Sequence, residues 1–179
     1  MRRTNKNMNK YQLFPLCLLG LSLLGPVAGQ DNQFVYDWKE TAQYNGQQQS
    51  VIVAVRVNGE DIGYTETYGG QAGKPVNVGT YSYTVKFDKF LDDLKGTFTI
   101  TPATLIIAAN SKFREFGVSN PGFDYSISGF QGSDNISAIS GSPALTTTAT
   151  ASSDVGSYAI TPNVTGLSST NYNFIGSNG

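Results

Sequence analysis

The sequence contains no histidine, and its only cysteine is Cys17, close to the N-terminus. The absence of histidine excludes Ser-His-Asp and Cys-His catalysis and the usual zinc ligand sets. Only 14% of the residues are charged. We therefore assign no catalytic, cofactor-binding or metal-ligating residue, and we expect a protein that is not an enzyme and needs no cofactor.

Residues 1–29 have the pattern of an export signal. Basic residues precede an apolar stretch over 13–24, and Val27-Ala28-Gly29 places small or apolar residues before the expected cleavage site. The apolar stretch is too short to cross a bilayer of roughly 30 Å as a helix. We predict Sec export, cleavage after Gly29, a mature chain that starts at Gln30, and a secreted or cell-surface location without stable membrane insertion.

Two other export signals fit the sequence less well than ordinary secretion. Lipidation of Cys17 requires small residues before the cysteine, but Leu16 is bulky. A twin-arginine signal could use Arg2-Arg3, but Asn5-Lys6 stands where that signal has apolar residues. Ordinary secretion therefore fits the sequence better.

The mature chain is mildly acidic. Removal of the signal leaves 8 Lys and Arg residues against 13 Asp and Glu residues, a net charge of −5. Such a surface does not recruit nucleic acid. Because the mature chain also has no cysteine, it forms no disulfide and its stability depends on packing.

Short segments in which apolar and polar residues alternate predict β-strands along the mature chain. One covers residues 81–87, and another places Val51, Val53, Val55 and Val57 on one face. Further short runs lie at 98–100, 105–107, 125–127, 158–160 and 172–174. Turn residues separate them, among them the glycine-rich stretch 69–73, which we interpret as a hairpin loop. The pattern predicts an all-β antiparallel sandwich fold.

An internal repeat divides the chain into two modules. Val78-Gly79-Thr80-Tyr81 recurs 77 residues later as Val155-Gly156-Ser157-Tyr158. We place the first module at 30–102 and the second at 103–179, and expect a short, semi-rigid junction at Pro102. The position of Tyr81 and Tyr158 predicts tyrosine corners, in which the hydroxyl group bonds to the backbone and holds a loop.

The two modules resemble a known bacterial family. The second is similar to the MBG domain of the YGX type in Glu115-Phe116-Gly117, Asn120-Pro121, Gly141-Ser142-Pro143, Val155-Gly156-Ser157-Tyr158 and Asn171-Tyr172, with Phe116 in place of tyrosine. The first is similar to related MBG-like repeats in Tyr44-Asn45-Gly46 and Gly96-Thr97-Phe98-Thr99-Ile100. The resemblance implies tandem Ig-like β-sandwiches of bacterial surface or secreted proteins, often adhesin-like, without catalytic residues. Family members continue beyond the Asn-Tyr strand into a further apolar strand, so the resemblance implies either that the sequence is a fragment of a longer protein or that the second module lacks its last strand.

Three alternatives remain open. The carboxylate pairs Asp92-Asp93 and Glu60-Asp61 would suit a glycosidase only if carboxylates converged in a cleft, and solvated loops are the competing interpretation. Calcium could bind similar oxygens, although no calcium-loop spacing supports it. Phe34, Tyr36 and Trp38 alternate as core residues do, whereas an exposed row of Trp38, Tyr64 and Tyr68 would indicate sugar binding.

The sequence thus predicts a structural or adhesive repeat segment of an exported bacterial cell-surface protein. Expected partners are neighbouring repeat modules, surface glycans, or host and matrix proteins. The alternative function is a carbohydrate-binding module accessory to a larger secreted enzyme.

Overall fold

A computed structural model describes residues 34–57, 60–88 and 93–179 of the chain. These residues form β-strands and loops, with a 3-10 turn at Ile136–Ala138. The predicted signal peptide and Asp92 lie outside the described residues, as do the side chains of Phe34 and Tyr36. The predicted all-β fold is confirmed.

The first module contains two sheets. Its strands are β1 (Phe34–Trp38), β2 (Thr41–Gln43), β3 (Ile52–Val57), β4 (Glu60–Asp61), β5 (Tyr64–Tyr68), β6 (Gln71–Ala72), β7 (Gly79–Phe87) and β8 (Leu94–Thr101). One sheet has the order β1-β3-β4, and the other has the order β2-β8-β7-β5-β6. Gly69 and Gly70 form the tight turn between β5 and β6 with φ of 58° and 78°, which confirms the predicted hairpin, although Gln71 and Ala72 of the expected loop belong to β6.

The second module follows after a single residue. Its strands are β9 (Ala103–Ala109), β10 (Tyr125–Ser128), β11 (Ala144–Thr147), β12 (Ile160–Asn163) and β13 (Tyr172–Ser177). One sheet has the order β10-β9-β13, and β11 and β12 form a separate pair. Pro102 alone separates β8 from β9, so the two modules are joined by almost continuous strand.

Alternating side chains build the core, as strand geometry requires. On β7 the buried residues are Tyr83 and Val85, with Tyr81 and Phe87 partly buried on the same face, as the pattern predicted. On β9 the buried residues are Ala103, Leu105, Ile107 and Ala109. One cluster runs from Val85, Phe98 and Ile100 through Ala103 and Leu105 to Tyr172. The hydrophobic core is therefore continuous across the boundary between the modules.

Three details differ from the expectations. The sheets are not purely antiparallel, because β2 pairs with β8 and β13 pairs with β9 in parallel. The strand expected at 158–160 begins only at Ile160, so Tyr158 and Ala159 belong to the loop before β12. Val51 is fully buried but precedes β3, where the pairing of β1 with β3 shifts register at Asp37 and Trp38.

The last described strand lies at the edge of its sheet. β13 pairs with β9 in register from Tyr172 opposite Ala103 to Ser177 opposite Ala108. Beyond it, Gly179 and Ile160 exchange backbone hydrogen bonds of 3.1 and 3.2 Å. The expectation that the second module lacks a final strand stays a prediction.

Candidate functional site at the module joint

The two modules meet at a built interface, which we call the module joint. The first module contributes residues 44–46, in the loop after β2, together with Asn77 and Val78, in the loop before β7. The second module contributes residues 129–134, in the loop after β10, together with Asn171 and Tyr172 at the start of β13. Both sets of loops lie where β8 passes into β9, so the topology of the strands brings them together.

Asp134 is the centre of the module joint. Its Oδ2 atom accepts a hydrogen bond of 2.8 Å from the hydroxyl group of Tyr44 and one of 2.7 Å from that of Tyr172. The Tyr172 oxygen in turn accepts the backbone N–H of Gln131 at 2.8 Å. A single carboxylate thus links the two modules, and hydrogen bonds to a charged acceptor are stronger than neutral ones.

The aromatic rings of the module joint pack edge to face. Tyr44 and Tyr172 are 5% and 3% exposed, and their ring centroids lie 5.4 Å apart at an interplanar angle of 84°. Phe130 meets Tyr172 in a second edge-to-face contact at 6.0 Å. This geometry places the positive edge of one ring against the negative face of the other, and it adds to the stabilisation from burial.

Asn171 connects the second module to the loop before β7. Its Oδ1 atom accepts the backbone N–H of Val78 at 2.9 Å, and its Nδ2 atom donates to Oδ1 of Asn77 at 3.0 Å. Both bonds cross the module boundary. The first satisfies a backbone donor of the first module, and the second joins two side chains.

Glycine allows the two backbones to approach. Gly46 has φ of 73°, and a Cβ atom there would lie 3.2 Å from the backbone oxygen of Gln131. Gly132, with φ of 57°, faces Gly46 from the other side. A larger residue at either position would strain the backbone and force the modules apart.

The tyrosines of the module joint are held in their neutral form. Burial, followed by the hydrogen bond to Asp134, raises the pKa of Tyr44 above its ordinary value. Burial also raises the pKa of Tyr172 to about 12, and the bond to Asp134 acts in the same direction. Both hydroxyl groups therefore remain donors across the neutral pH range.

The predicted tyrosine corners are present in both modules. The hydroxyl group of Tyr81 donates to the backbone oxygen of Asn77 at 2.8 Å, and that of Tyr158 donates to the oxygen of Asp154 at 3.0 Å. Each bond reaches back four residues, and the two pairs are 77 residues apart. The internal repeat in the sequence is therefore a repeat in structure.

Family models match two adjacent parts of this chain. Residues 39–104 match the model of the MBG domain, and residues 105–179 match that of the MBG domain of the YGX type. The chain belongs to the MBG domain family. This confirms the resemblance found in the sequence, while the boundary between residues 102 and 103 stays a prediction. Comparison with curated proteins and with solved structures gave no significant match.

The aromatic row proposed for sugar binding does not form on the surface of the first MBG domain. Tyr68 is only 6% exposed, and its hydroxyl oxygen accepts the backbone N–H of Val51 at 2.7 Å. Burial raises its pKa to about 12. Trp38 is 43% exposed and Tyr64 is partly buried. Tyr68 is therefore a core residue, and the three rings do not share one exposed face.

Of the two carboxylate pairs, the structure describes the side chains of Asp61 and Asp93 only, and both are exposed. Glu60 and Asp61 form the short strand β4 rather than the expected loop, because they pair with the end of β3. The exposed Asp61 side chain contacts Arg56 at 2.9 Å. Asp93 lies 4.0 Å from Lys95. Among the described residues, no group of three acidic, cysteine or histidine side chains could hold a metal ion.

Glu66 is a buried carboxylate that the sequence interpretation did not single out. Its Oε1 atom accepts the hydroxyl group of Ser50 at 2.5 Å and the backbone N–H of Ile52 at 3.0 Å. Lys74 lies 3.3 Å from its Oε2 atom, as an ion pair without hydrogen-bond geometry. Glu66 connects β5 to the start of β3. The sequence does indicate that Glu66 faces inward. Alternate side chains of a strand share one face, and Glu66 alternates with Tyr64 and Tyr68 in β5.

An open polar cleft of about 520 Å³ lies beside the module joint. Its lining residues are Asp134, Ser137, Ala138, Ser140, Ser168, Ser169, Thr170 and Asn171. These side chains offer hydroxyl, amide and carboxylate groups but no aromatic ring.

In the described residues, no helix is both long and apolar enough to span a membrane.

Proposed function

We propose that this chain is a non-catalytic structural segment of an exported bacterial cell-surface protein. In it, the two MBG domains act together as one rigid spacer. The observation that carries the proposal is the module joint, in which Tyr44 and Tyr172 share one oxygen of Asp134. A spacer must hold its domains at a fixed angle. The module joint supplies contacts that fix the angle between the two MBG domains.

The connection itself limits movement between the modules. Domains in one chain usually move relative to each other unless their interface is large and hydrophobic. Here a single proline separates β8 from β9, and proline restricts the backbone angle φ. The continuous core and the two bonds of Asn171 oppose both bending and twisting.

The absence of histidine supports a non-catalytic role. Among the candidate carboxylates, Asp61 is paired with a basic side chain on the surface, whereas Glu66 is bound by backbone and hydroxyl donors inside the first module. A general acid or base must reach a substrate. Glu66 is too buried to meet that requirement, and Asp61 is exposed but paired with Arg56, which supports a non-catalytic role.

An adhesive role toward glycans or host and matrix proteins is part of the same proposal, whereas a carbohydrate-binding accessory module has less support. The alternative depended on exposure of Trp38, Tyr64 and Tyr68 together, and Tyr68 is buried. The polar cleft beside the module joint lacks the aromatic platform on which sugar rings usually stack.

Small-angle X-ray scattering of the mature chain tests the spacer function. The intact chain should scatter as one rigid body, and a variant with Asp134→Ala and Asn171→Ala should scatter as an ensemble with larger average dimensions. Glu115→Ala, which removes an exposed carboxylate, is the matched control. Scattering from the intact chain that requires many relative orientations would contradict the proposal, and binding on a glycan array would favour the alternative.

Export is tested separately by the N-terminus of the protein recovered from the cell surface or medium. The proposal expects a chain that begins at Gln30 in an intact-mass measurement. A chain that keeps Cys17 with an attached lipid, or a full-length chain in the cytoplasm, would contradict it.

A further inference from the structure

The module joint contains an Asn-Gly dipeptide, Asn45-Gly46, in the loop after β2. Asparagine followed by glycine is especially prone to spontaneous deamidation, because glycine has no side chain to obstruct attack by its backbone nitrogen on the asparagine side chain. Asn45 is exposed. Tyr44, the residue before it, is buried and donates its hydroxyl group to Asp134. A reactive dipeptide therefore lies directly beside a bond that links the two modules.

The backbone nitrogen that attacks in this reaction is not held by a hydrogen bond in the described part of the chain. The N–H of Gly46 donates to no acceptor among these residues. Formation of a succinimide ring converts this nitrogen into an imide nitrogen, which can no longer donate. Ring closure therefore breaks no hydrogen bond to a described residue.

The side chain of Asn45 is held in a geometry that favours attack. Its Oδ1 atom accepts the backbone N–H of Gln47 at 3.0 Å, which closes an Asx turn around Gly46. Attack on the Cγ atom moves negative charge onto Oδ1, and a backbone donor at this distance stabilises that charge as an oxyanion hole does. The Nδ2 atom, which must leave, donates to no acceptor among the described residues.

The same dipeptide occurs after β13 in a different environment. In Asn178-Gly179, the N–H of Gly179 donates to the backbone oxygen of Ile160 at 3.1 Å. Its nitrogen can attack only after this bond opens. A third Asn-Gly dipeptide, at residues 58–59, lies outside the described residues. The fold thus leaves the nitrogen of Gly46 available for reaction and restrains that of Gly179.

We propose that Asn45 is a site of spontaneous deamidation, whose product loosens the module joint. The nitrogen of Gly46 forms a bond to Cγ of Asn45, the bond from Cγ to Nδ2 breaks, and Nδ2 leaves as ammonia with the proton of the Gly46 N–H. Water then opens the succinimide at either carbonyl carbon and leaves aspartate or isoaspartate at position 45. The reaction consumes only water.

The products change a loop that fits closely against the second module. Isoaspartate adds one methylene group to the backbone between Tyr44 and Gly46. A Cβ atom on Gly46 would already lie 3.2 Å from the backbone oxygen of Gln131, so the loop has little room for a longer backbone. Both products also add a negative charge next to Tyr44, whose hydroxyl group is bound to the Asp134 carboxylate. This loosening rests on the proposed spacer function, whereas the reactivity of Asn45 does not.

Peptide mapping by mass spectrometry tests the site. The mature chain is incubated at neutral pH, both folded and unfolded in urea, and conversion of amide to acid is followed at positions 45 and 178. Unfolding removes the structural differences, so the ratio of the folded rate to the unfolded rate isolates the effect of the fold at each position. We expect this ratio to be about tenfold higher at position 45, a modest share of what one oxyanion donor supplies in enzymes. Equal ratios, or conversion at position 178 alone, would overturn the inference.

Small-angle X-ray scattering tests the consequence for the module joint. Chains with the new carboxylate at position 45 are separated from intact chains by anion exchange and identified by peptide mapping. They should have larger average dimensions than the intact chain. The control is Asn45→Ser, whose hydroxyl group can accept the Gln47 N–H but which has no amide to lose. Incubation should leave the dimensions of this variant unchanged.

Failure of the inference and failure of the proposed function give different results. A rigid fresh chain that keeps its dimensions after conversion at position 45 would leave the spacer function intact and reject the loosening of the joint. A fresh chain that already scatters as an ensemble would reject the spacer function and the loosening together. The peptide maps would still decide whether Asn45 is the reactive site.

Discussion

Tyr44 and Tyr172 belong to different modules, yet their hydroxyl groups donate to the same oxygen of Asp134, at 2.8 and 2.7 Å. Asp134 lies in the loop after β10. The backbone of Gly46 approaches this loop at Gln131 and Gly132. The relative position of the modules therefore depends on a few polar atoms and a shared core, and each of these can be changed separately.

Asp134→Ala should destabilise the chain, because it removes the shared acceptor of two buried hydroxyl groups. We expect a loss of about 1.5–3 kcal/mol in the free energy of unfolding, the range for hydrogen bonds to charged groups. Urea unfolding measures it. Glu115→Ala, at an exposed carboxylate, should change stability by less than about 0.5 kcal/mol. Equal losses in the two variants would contradict the role of Asp134.

Tyr81→Phe and Tyr158→Phe should have similar effects, because each removes the same hydroxyl-to-backbone bond from one module. We expect each to cost about 0.5–1.5 kcal/mol of unfolding free energy, the contribution of one neutral hydrogen bond. Tyr125→Phe is the control, since Tyr125 is exposed and its hydroxyl group has no partner among the described residues. No loss in either corner variant, measured by urea unfolding, would contradict the structural repeat.

These corners were predictable from sequence because the information is local. The Gly-Thr-Tyr and Gly-Ser-Tyr motifs place the tyrosine near the backbone oxygen that it contacts, four residues earlier. The Gly69-Gly70 turn was predictable for the same reason, since glycine readily adopts positive φ. Alternation also identified the inward residues of β7 correctly.

The module joint was not predictable, because its partners are far apart in sequence. Nothing local distinguishes Asp134 from other loop acids, and its role depends on Tyr44 and Tyr172 being brought together by the fold. The parallel pairs β2 with β8 and β9 with β13 were missed similarly, since alternation shows which residues face inward but not which strands pair. The expected strand at 158–160 began two residues too early, since β12 starts at Ile160.

The module joint should weaken as pH rises from about 10 toward 12. Burial raises the pKa of Tyr172 from 10.0 to about 12, so between these values the unfolded chain loses a proton that the folded chain keeps. Stability then falls with rising pH, because the unfolded state binds fewer protons. Urea midpoints at pH of about 9 and about 11 measure the loss. It should be smaller in Tyr172→Phe, and an equal loss in that variant would contradict the assignment.

Glu66→Ala should destabilise the first module, because it leaves the Ile52 N–H without its acceptor and leaves the Ser50 hydroxyl group with only the backbone oxygen of Ile52. The loss should be about 1–3 kcal/mol, the cost of unsatisfied buried polar groups. Asp61→Ala removes a carboxylate from an exposed ion pair and should cost at most about 1 kcal/mol. Thermal unfolding of both variants compares them, and a larger loss in Asp61→Ala would contradict the connection between β5 and β3.

The central claim is that the module joint holds the two MBG domains at one fixed angle. Spin labels attached through Lys86→Cys and Thr148→Cys, both at exposed positions in different modules, report the distance between them by pulsed electron paramagnetic resonance. The account predicts one narrow distance distribution, which Asp134→Ala combined with Asn171→Ala broadens and Glu115→Ala leaves unchanged. A broad distribution in the intact chain, equal to that of the joint variant, would contradict the claim.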